Sequence, residues 1–426
     1  MNNFIKSRYT LDDLEQFRDK DGFIDLTKTD IKITQESREK RGTAERMKNW
    51  VDLAGKKVLL RGQPEDIENY SMYAELIIEE IAKELGIENA HYDLIKTKDN
   101  NGKEITGVLS VAIMDMDKEE LISLHDLVGD EENTLQKEIT EIDELDDMCV
   151  TNYDFTIEKL AERLTKGGYS EEEIRKLMLD YKKRLIFYLS VLDADKHPEN
   201  ISFIKSIKGN DKIRISPNYD SEFSLLLELD QGYCKYISEN MFEVEKETDN
   251  DEFRIGIIVP EEEGGWNNIW KDTLEKLIED DELYDYYNDN MRGKIDMKVI
   301  FERVEKRIHA PMPNVAKIVA QRAYESRNRI IEKIMDGEIT PGSALSEEYD
   351  LKSEIKYMSV DEKANDKTES LIKMLSGFIE KGKKTGITTE EQLKIGKIMQ
   401  EDIEQSRKKE NSISNEEKAI DDIEMD

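Results

Sequence analysis

Residues 195–200 read Asp195-Lys196-His197-Pro198-Glu199-Asn200, and the interpretation of the whole chain starts from them. Phosphoryl transfer by a kinase loop needs a carboxylate that accepts the proton of the attacking hydroxyl group, followed five positions later by an amide oxygen for Mg²⁺. Asp195 and Asn200 have this spacing. Either residue alone is weak evidence, because Asp and Asn in loops are usually turn formers. The flanking segments therefore carry the argument.

Downstream of this loop, two β-like runs at 201–207 and 212–215 bracket a turn at 208–211, which predicts a hairpin. Asp220 follows the hairpin. A second Mg²⁺ ligand in a kinase is an Asp that returns to the same cleft after such a hairpin. Asp220 is therefore the predicted second ligand.

Upstream, a capping box formed by Ser170 and Glu173 predicts a long helix that runs to about residue 192. Asp193 is assigned to the end of this helix. Earlier segments predict a strand at 56–61, a helix at 70–85, and two strands at 90–97 and 105–114 around an Asn-Gly turn. The order is a strand ending in a cation, a helix, a hairpin, a capped helix, the Asp195 loop, a second hairpin and Asp220.

These residues resemble the HipA-like kinases, which are bacterial serine/threonine protein kinases. The family's Asp-x-His-x-x-Asn loop corresponds to residues 195–200, and its Tyr-Asp metal site corresponds to Tyr219-Asp220. Upstream, Trp50-Val51-Asp52-Leu53-Ala54-Gly55 resembles the approach to the nucleotide-binding strand, and Tyr73-Ala74-Glu75 resembles the start of its helix. The resemblance covers roughly residues 45–340.

The resemblance implies an α+β, two-lobed protein-kinase-like fold. Residues 1–115 would form a small β-rich N-lobe with one helix, 116–345 a larger, mainly helical C-lobe, and 346–426 an acidic tail that is helical or disordered. It also implies that the cofactors are ATP and Mg²⁺ and that the reaction phosphorylates a protein Ser or Thr hydroxyl group. Asp195, Asn200 and Asp220 would be the catalytic residues, with Asn200 and Asp220 as the metal ligands.

The resemblance further implies that Glu75 pairs with a nucleotide-binding cation, and here the sequence departs from the family. The family's strand lysine falls on Arg61, whose planar guanidinium does not place charge as a compact ammonium does. Lys57 lies on the same strand face by the period of two and could replace it. Three outcomes stay open: Arg61 serves, Lys57 reaches the phosphates, or activity is reduced.

Composition restricts the partners. The 426 residues carry a formal net charge of −34, which repels phosphate backbones and anionic lipid surfaces, so nucleic acid and membranes are unlikely partners. The sequence shows neither a signal peptide nor a membrane-spanning apolar stretch, and we expect a cytoplasmic protein. Cys149 and Cys234 are expected to be buried thiols. An acidic surface could also bind a basic protein partner or mimic nucleic acid.

Two other functions remain open at this level. A small-molecule kinase needs the same Asp195, Asn200 and Asp220. A pseudokinase or interaction protein is suggested by Arg61 and the acidic tail, although a scaffold has no physical need for all three polar residues. In the resembled family, toxin-type members carry an N-terminal subdomain ahead of the kinase lobe that helps contact an antitoxin. Here fewer than 60 residues precede the strand at 56–61, so the resemblance to shorter, stand-alone members is closer. Binding of an antitoxin through that subdomain is therefore an open question.

Overall fold

The amino-terminal half of the chain contains a six-stranded β-sheet. The computed structural model describes residues 5–31, 48–63, 69–98, 104–128, 152–196, 198, 200–207, 213–239 and 270–338. The strands are β1 (Ile5–Ser7), β2 (Ile24–Asp25), β3 (Lys48–Leu53), β4 (Lys56–Gly62), β5 (Tyr92–Lys98) and β6 (Glu104–Val111). Their order across the sheet is β1-β3-β4-β6-β5-β2, which places β4 in its interior.

The side chains of strand β4 alternate between the apolar core and the opposite face of the sheet. Val58 and Leu60 are buried in an apolar cluster that includes Leu14 and Ile24 from the amino-terminal segment. Because side chains alternate along a strand, Arg61 points to the opposite face. Gly107 of β6 lies so close to β4 that a Cβ atom there would be 2.0 Å from the carbonyl oxygen of Arg61. The pairing of these two strands therefore needs glycine at this position.

Helix α2 (Ser71–Glu84) follows β4 and carries Glu75. Its apolar positions recur at helical spacing, and Gly86 ends it with φ +68°, the left-handed conformation that glycine adopts without a steric penalty. The amide of Ile87 donates to the carbonyl oxygen of Ala82, which caps the last turn. This is the predicted helix at 70–85.

A second, three-stranded sheet has the order β7-β8-β9, with β7 (Glu119–Ser123), β8 (Ser202–Ser206) and β9 (Arg214–Ile215). The strands β8 and β9 form the predicted hairpin after the Asp195 loop, and part of its turn lies outside the described residues. The sequence does not predict strand β7, because residues 116–345 are expected to form a mainly helical lobe. Its five residues begin with two glutamates and pair antiparallel with β8, so its conformation depends on a partner far along the chain.

Helices make up most of the remaining described residues. Helix α5 (Glu171–Ser190) begins with the predicted capping box, in which the side chains of Ser170 and Glu173 satisfy each other's backbone amides. The other helices are α1 (Leu11–Leu14), α3 (Leu124–Val128), α4 (Asn152–Lys166), α6 (Gln231–Glu239), α7 (Trp270–Ile278), α8 (Asp281–Asn290), α9 (Met297–Ile308) and α10 (Asn314–Met335).

The predicted α+β fold is confirmed for the described residues: a curled β-sheet lobe is followed by a mainly helical one. The amino-terminal segment adds a feature that the sequence did not reveal, because β1 and β2 form the two edges of the sheet. None of the helices in the described ranges is both long and apolar enough to span a bilayer. Residues 346–426, assigned to the acidic tail, lie outside the described residues, as does Cys149.

Cys234 is fully buried in α6, and burial raises the pKa of its thiol to about 12. A thiol with so high a pKa reacts slowly at neutral pH, because the thiolate is the nucleophile. We therefore expect a Cys149→Ser variant to resist a disulfide-exchange reagent at pH 8 until the protein is unfolded in guanidinium. Rapid stoichiometric labelling of the folded variant would contradict the buried position of Cys234.

Candidate functional site

The predicted cation and the predicted acids meet at the guanidinium group of Arg61. Its Nη2 donates to Oε1 of Glu75, and its Nη1 donates to Oδ1 of Asp220, which lies 159 residues away in sequence. Glu222 lies slightly further off, with an oxygen 3.6 Å from Nη2. The side chain of Arg61 is 7% exposed and that of Glu75 is fully buried. Three separate chain segments thus converge on one buried positive charge.

Burial and charge act against each other in this cluster. Burial acts to lower the pKa of Arg61, but the carboxylates of Asp220 and Glu75 together raise it. Burial raises the pKa of Glu75, and Asp220 adds to this effect while Arg61 opposes it. Since guanidinium stays protonated in proteins, Arg61 supplies the charge that stabilises the fully buried Glu75 next to the partly buried Asp220.

Asp220 is held by its backbone as well as by its side chain. Its φ is +57°, a left-handed conformation that Asp tolerates better than most residues. Its amide donates to the hydroxyl group of Tyr92 at 2.9 Å, and the next amide, that of Ser221, donates to Oε2 of Glu75 at 3.0 Å. Glu75 therefore contacts both Arg61 and the turn that carries Asp220.

Asp195 and Asn200, the first and last residues of the 195–200 loop, contact each other. The side-chain nitrogen Nδ2 of Asn200 donates to the carbonyl oxygen of Asp195 at 2.8 Å and to its carboxylate Oδ2 at 3.1 Å. Both residues are partly exposed, as groups that act on a substrate need to be. The loop joins the Asp220 segment through the amide of Ala194, which donates to the carbonyl oxygen of Phe223 at 3.0 Å. His197 lies outside the described residues.

Lys57 is not brought to this cluster. Its ammonium lies 2.6 Å from a carboxylate oxygen of Asp52, near the turn between β3 and β4. It is four residues from Arg61 along β4, which corresponds to about 13 Å of strand. Of the two candidate cations, the structure joins Arg61 to Glu75 and Asp220.

Sequence reasoning missed a buried lysine next to Asp195. Lys196 and Asp193 are both fully buried and form an ion pair of 3.4 Å. Burial raises the pKa of Asp193, and Lys196 opposes this effect. The ammonium of Lys196 also donates to the carbonyl oxygens of Tyr219 and Asp220. The signal available in the sequence is a lysine three residues after Asp193.

The side-chain oxygen atoms of Asp220 and Asn200 are suitable ligands for Mg²⁺. An Asp carboxylate and an Asn amide are hard oxygen ligands, and Mg²⁺ in phosphoryl-transfer enzymes is usually bound by one or two such groups together with substrate phosphates. Asp220 and Asn200 are the residues that would hold it. Within the described ranges there is no group of three or more His, Cys, Asp or Glu residues with metal-binding geometry, so a zinc-type cage is not formed there.

A cavity of about 530 Å³ lies elsewhere, between the end of α2, helix α5 and strand β9. Its lining includes Leu85, Leu177, Arg184, Ile215 and Tyr286, and it includes no residue of the Arg61 cluster or the Asp195 loop. The chemistry-bearing side chains, and not this cavity, therefore define the candidate site.

Comparison with known proteins gives matches only at the level of structure. No family model matches the chain, and no curated protein matches it significantly. The crystal structure of the Helicobacter pylori proinflammatory kinase CtkA aligns with a TM-score of 0.52 and 16% identity, over 74% of this chain and 98% of that chain. The Shewanella oneidensis MR-1 toxin HipA, solved with HipB and operator DNA, aligns with a TM-score of 0.36 and 13% identity, over 66% and 61%.

The first of these alignments carries the argument, since a TM-score of 0.36 is too low to support one. At 16% identity the likeness to the H. pylori kinase shows the fold alone. It covers 98% of that kinase, and the chain therefore has the fold of the H. pylori kinase. A kinase-like fold is what the resemblance carried by the Asp195 loop and the Tyr219-Asp220 pair implies.

Proposed function

We propose that this protein is an ATP- and Mg²⁺-dependent kinase that phosphorylates a Ser or Thr hydroxyl group of a protein. One observation carries the proposal: the guanidinium of Arg61 binds Glu75 of α2 and Asp220 beyond the hairpin in a buried cluster. A cation from a central strand, paired with a helix acid and placed next to a metal-binding Asp, is the arrangement that phosphoryl transfer requires. The kinase fold of the described residues supports it.

In the proposed mechanism Asp195 acts on the substrate hydroxyl group. Its carboxylate accepts the proton as the hydroxyl oxygen attacks the terminal phosphorus of ATP, and the bond to the leaving diphosphate oxygen breaks. Asn200 holds Asp195 in place through the bond to Oδ2. Asn200 and Asp220 would hold Mg²⁺, which would supply positive charge to neutralise the phosphate oxygens. Arg61, which Glu75 orients, supplies a fixed positive charge beside Asp220.

Two alternatives share part of this geometry. A small-molecule kinase would use the same residues, and the described residues contain no feature that favours it over a protein kinase. A pseudokinase has one observation in its favour, because Arg61 already binds the carboxylate that Mg²⁺ requires. The acidic composition suits a basic protein partner in either case, including an antitoxin.

Incubation with labelled ATP and Mg²⁺, alone and with a cell lysate, tests the proposal. We expect label to be transferred to protein, and Asp195→Ala to prevent the transfer. Label on a small molecule would favour the small-molecule kinase. If neither is labelled, while the protein is folded and the lysate is active with another kinase, the pseudokinase interpretation replaces this one.

A further inference from the structure

Lys196 has an unusual position for a lysine next to a predicted catalytic carboxylate. Its side chain is fully buried, and its ammonium lies 5.3 Å from the centre of the Tyr188 ring and 5.7 Å from that of Tyr219. A buried ammonium is costly unless charges and hydrogen bonds compensate it. Its position therefore depends on the partners that surround it.

The ammonium group faces three oxygen atoms inside the protein. It donates to the carbonyl oxygen of Tyr219 and to that of Asp220 at 2.8 Å, and Oδ2 of Asp193 lies 3.4 Å away. Because the side chain is fully buried, the ammonium is not available to a phosphate group. Lys196 is therefore directed into the protein and away from any substrate.

The two carbonyl groups belong to the turn that presents Asp220. Asp220 has φ +57°, which is unfavourable for a residue with a Cβ atom. The carbonyl oxygens of Tyr219 and Asp220 converge on one ammonium, and that ammonium belongs to the residue that follows Asp195. The side chain thus links the loop that carries Asp195 to the turn that carries Asp220.

We infer that Lys196 is a positioning residue, whose buried ammonium holds the Asp220 turn in its left-handed conformation and in register with the Asp195 loop. Asp193 has a separate part. Its carboxylate is fully buried with Oδ2 3.4 Å from the ammonium, so it serves as the countercharge of Lys196. The effect of Lys196 on metal binding rests on the proposed function, in which Asp220 is a Mg²⁺ ligand.

Two double variants separate the hydrogen bonds of Lys196 from its charge. Lys196→Met/Asp193→Asn and Lys196→Gln/Asp193→Asn both remove the ion pair. They differ in whether position 196 retains N–H donors for the carbonyl oxygens. Removing both charges together avoids an unpaired buried carboxylate, which would be strongly destabilising. The Gln double variant, which keeps N–H donors at position 196, is the matched control.

Amide hydrogen exchange of the nucleotide-free protein is the first measurement. In the Met double variant we expect exchange in residues 218–222 to accelerate on the order of tenfold or more, with peptides of α5 unchanged. The Gln double variant is expected to stay closer to the wild type. Equal exchange in all variants would overturn the inference. Loss of folding in both double variants would also overturn it, because the pair would then stabilise the fold and not the turn.

The second measurement is the affinity for a non-hydrolysable ATP analogue with and without Mg²⁺. The Met double variant is expected to lose on the order of tenfold of the Mg²⁺-dependent affinity, which corresponds to about 1.4 kcal/mol. Binding without Mg²⁺ should change little. If the wild-type protein binds no analogue, the proposed function fails, while the exchange result still decides whether Lys196 holds the turn.

Discussion

Asp195→Ala should lower the rate of phosphoryl transfer by about a hundredfold to ten-thousandfold, the range that removal of a general acid or base costs. Its carboxylate is partly exposed and lies in a loop, where it accepts a hydrogen bond from the side-chain amide of Asn200. Because the group acts in the chemical step, kcat should fall while the KM for ATP changes little. Steady-state kinetics with the substrate found in the labelling experiment measure both.

Asp220→Ala is the companion variant, and its kinetic signature should differ. Loss of a metal ligand is expected to raise the Mg²⁺ concentration needed for activity, whereas Asp195→Ala should leave it unchanged.

The thermal transition of Asp195→Ala should stay close to that of the wild-type protein. Wild-type rates in a folded Asp195→Ala protein would remove Asp195 from the mechanism.

Arg61→Ala should have the largest effect on stability. It leaves the fully buried carboxylate of Glu75 without its cation, and removing one partner of a buried ion pair typically costs about 3–5 kcal/mol. Arg61→Lys keeps the charge and is expected to lose much less. Chemical denaturation gives the free energy of unfolding for each variant.

Lys57→Ala is the control for Arg61, because both cations lie on the same face of β4. Lys57 pairs with Asp52 near the protein surface, where such pairs contribute about 0–1 kcal/mol. Nucleotide affinity is best compared in a Glu75→Gln background, which removes the unpaired acid from the Arg61→Ala protein. We expect Arg61→Ala to weaken ATP binding and Lys57→Ala to leave it unchanged. The reverse result would make Lys57 the nucleotide-binding cation.

Much of this site could be predicted because it depends on spacing. The five-residue interval from Asp195 to Asn200 and the hairpin before Asp220 are local patterns, and they were found in the sequence. Glu75 was identified through the resemblance of Tyr73-Ala74-Glu75 to the family's helix. Their roles in catalysis remain predictions that the variants above address.

What could not be predicted depends on distant partners. The edge strands β1 and β2 have three and two residues, and each forms only by pairing with a strand elsewhere in the chain. The choice between Arg61 and Lys57 required the direction of two side chains at opposite ends of one strand. The inward direction of Lys196 was hidden because a lysine in a polar loop is usually exposed.

Helix α2, which carries Glu75, is held in position by ion pairs with helix α9. Arg307 of α9 lies 2.8 Å from Glu79 and 3.2 Å from Glu80, and Arg303 of the same helix lies 2.5 Å from Glu84. The helix is thus attached along its length to the second lobe as well as to its own sheet. Swinging it outward to separate Glu75 from Arg61 would have to break these three pairs together. In mechanical terms α2 is a strut between the lobes, and a rigid-body motion of the sheet lobe would have to carry α9 with it.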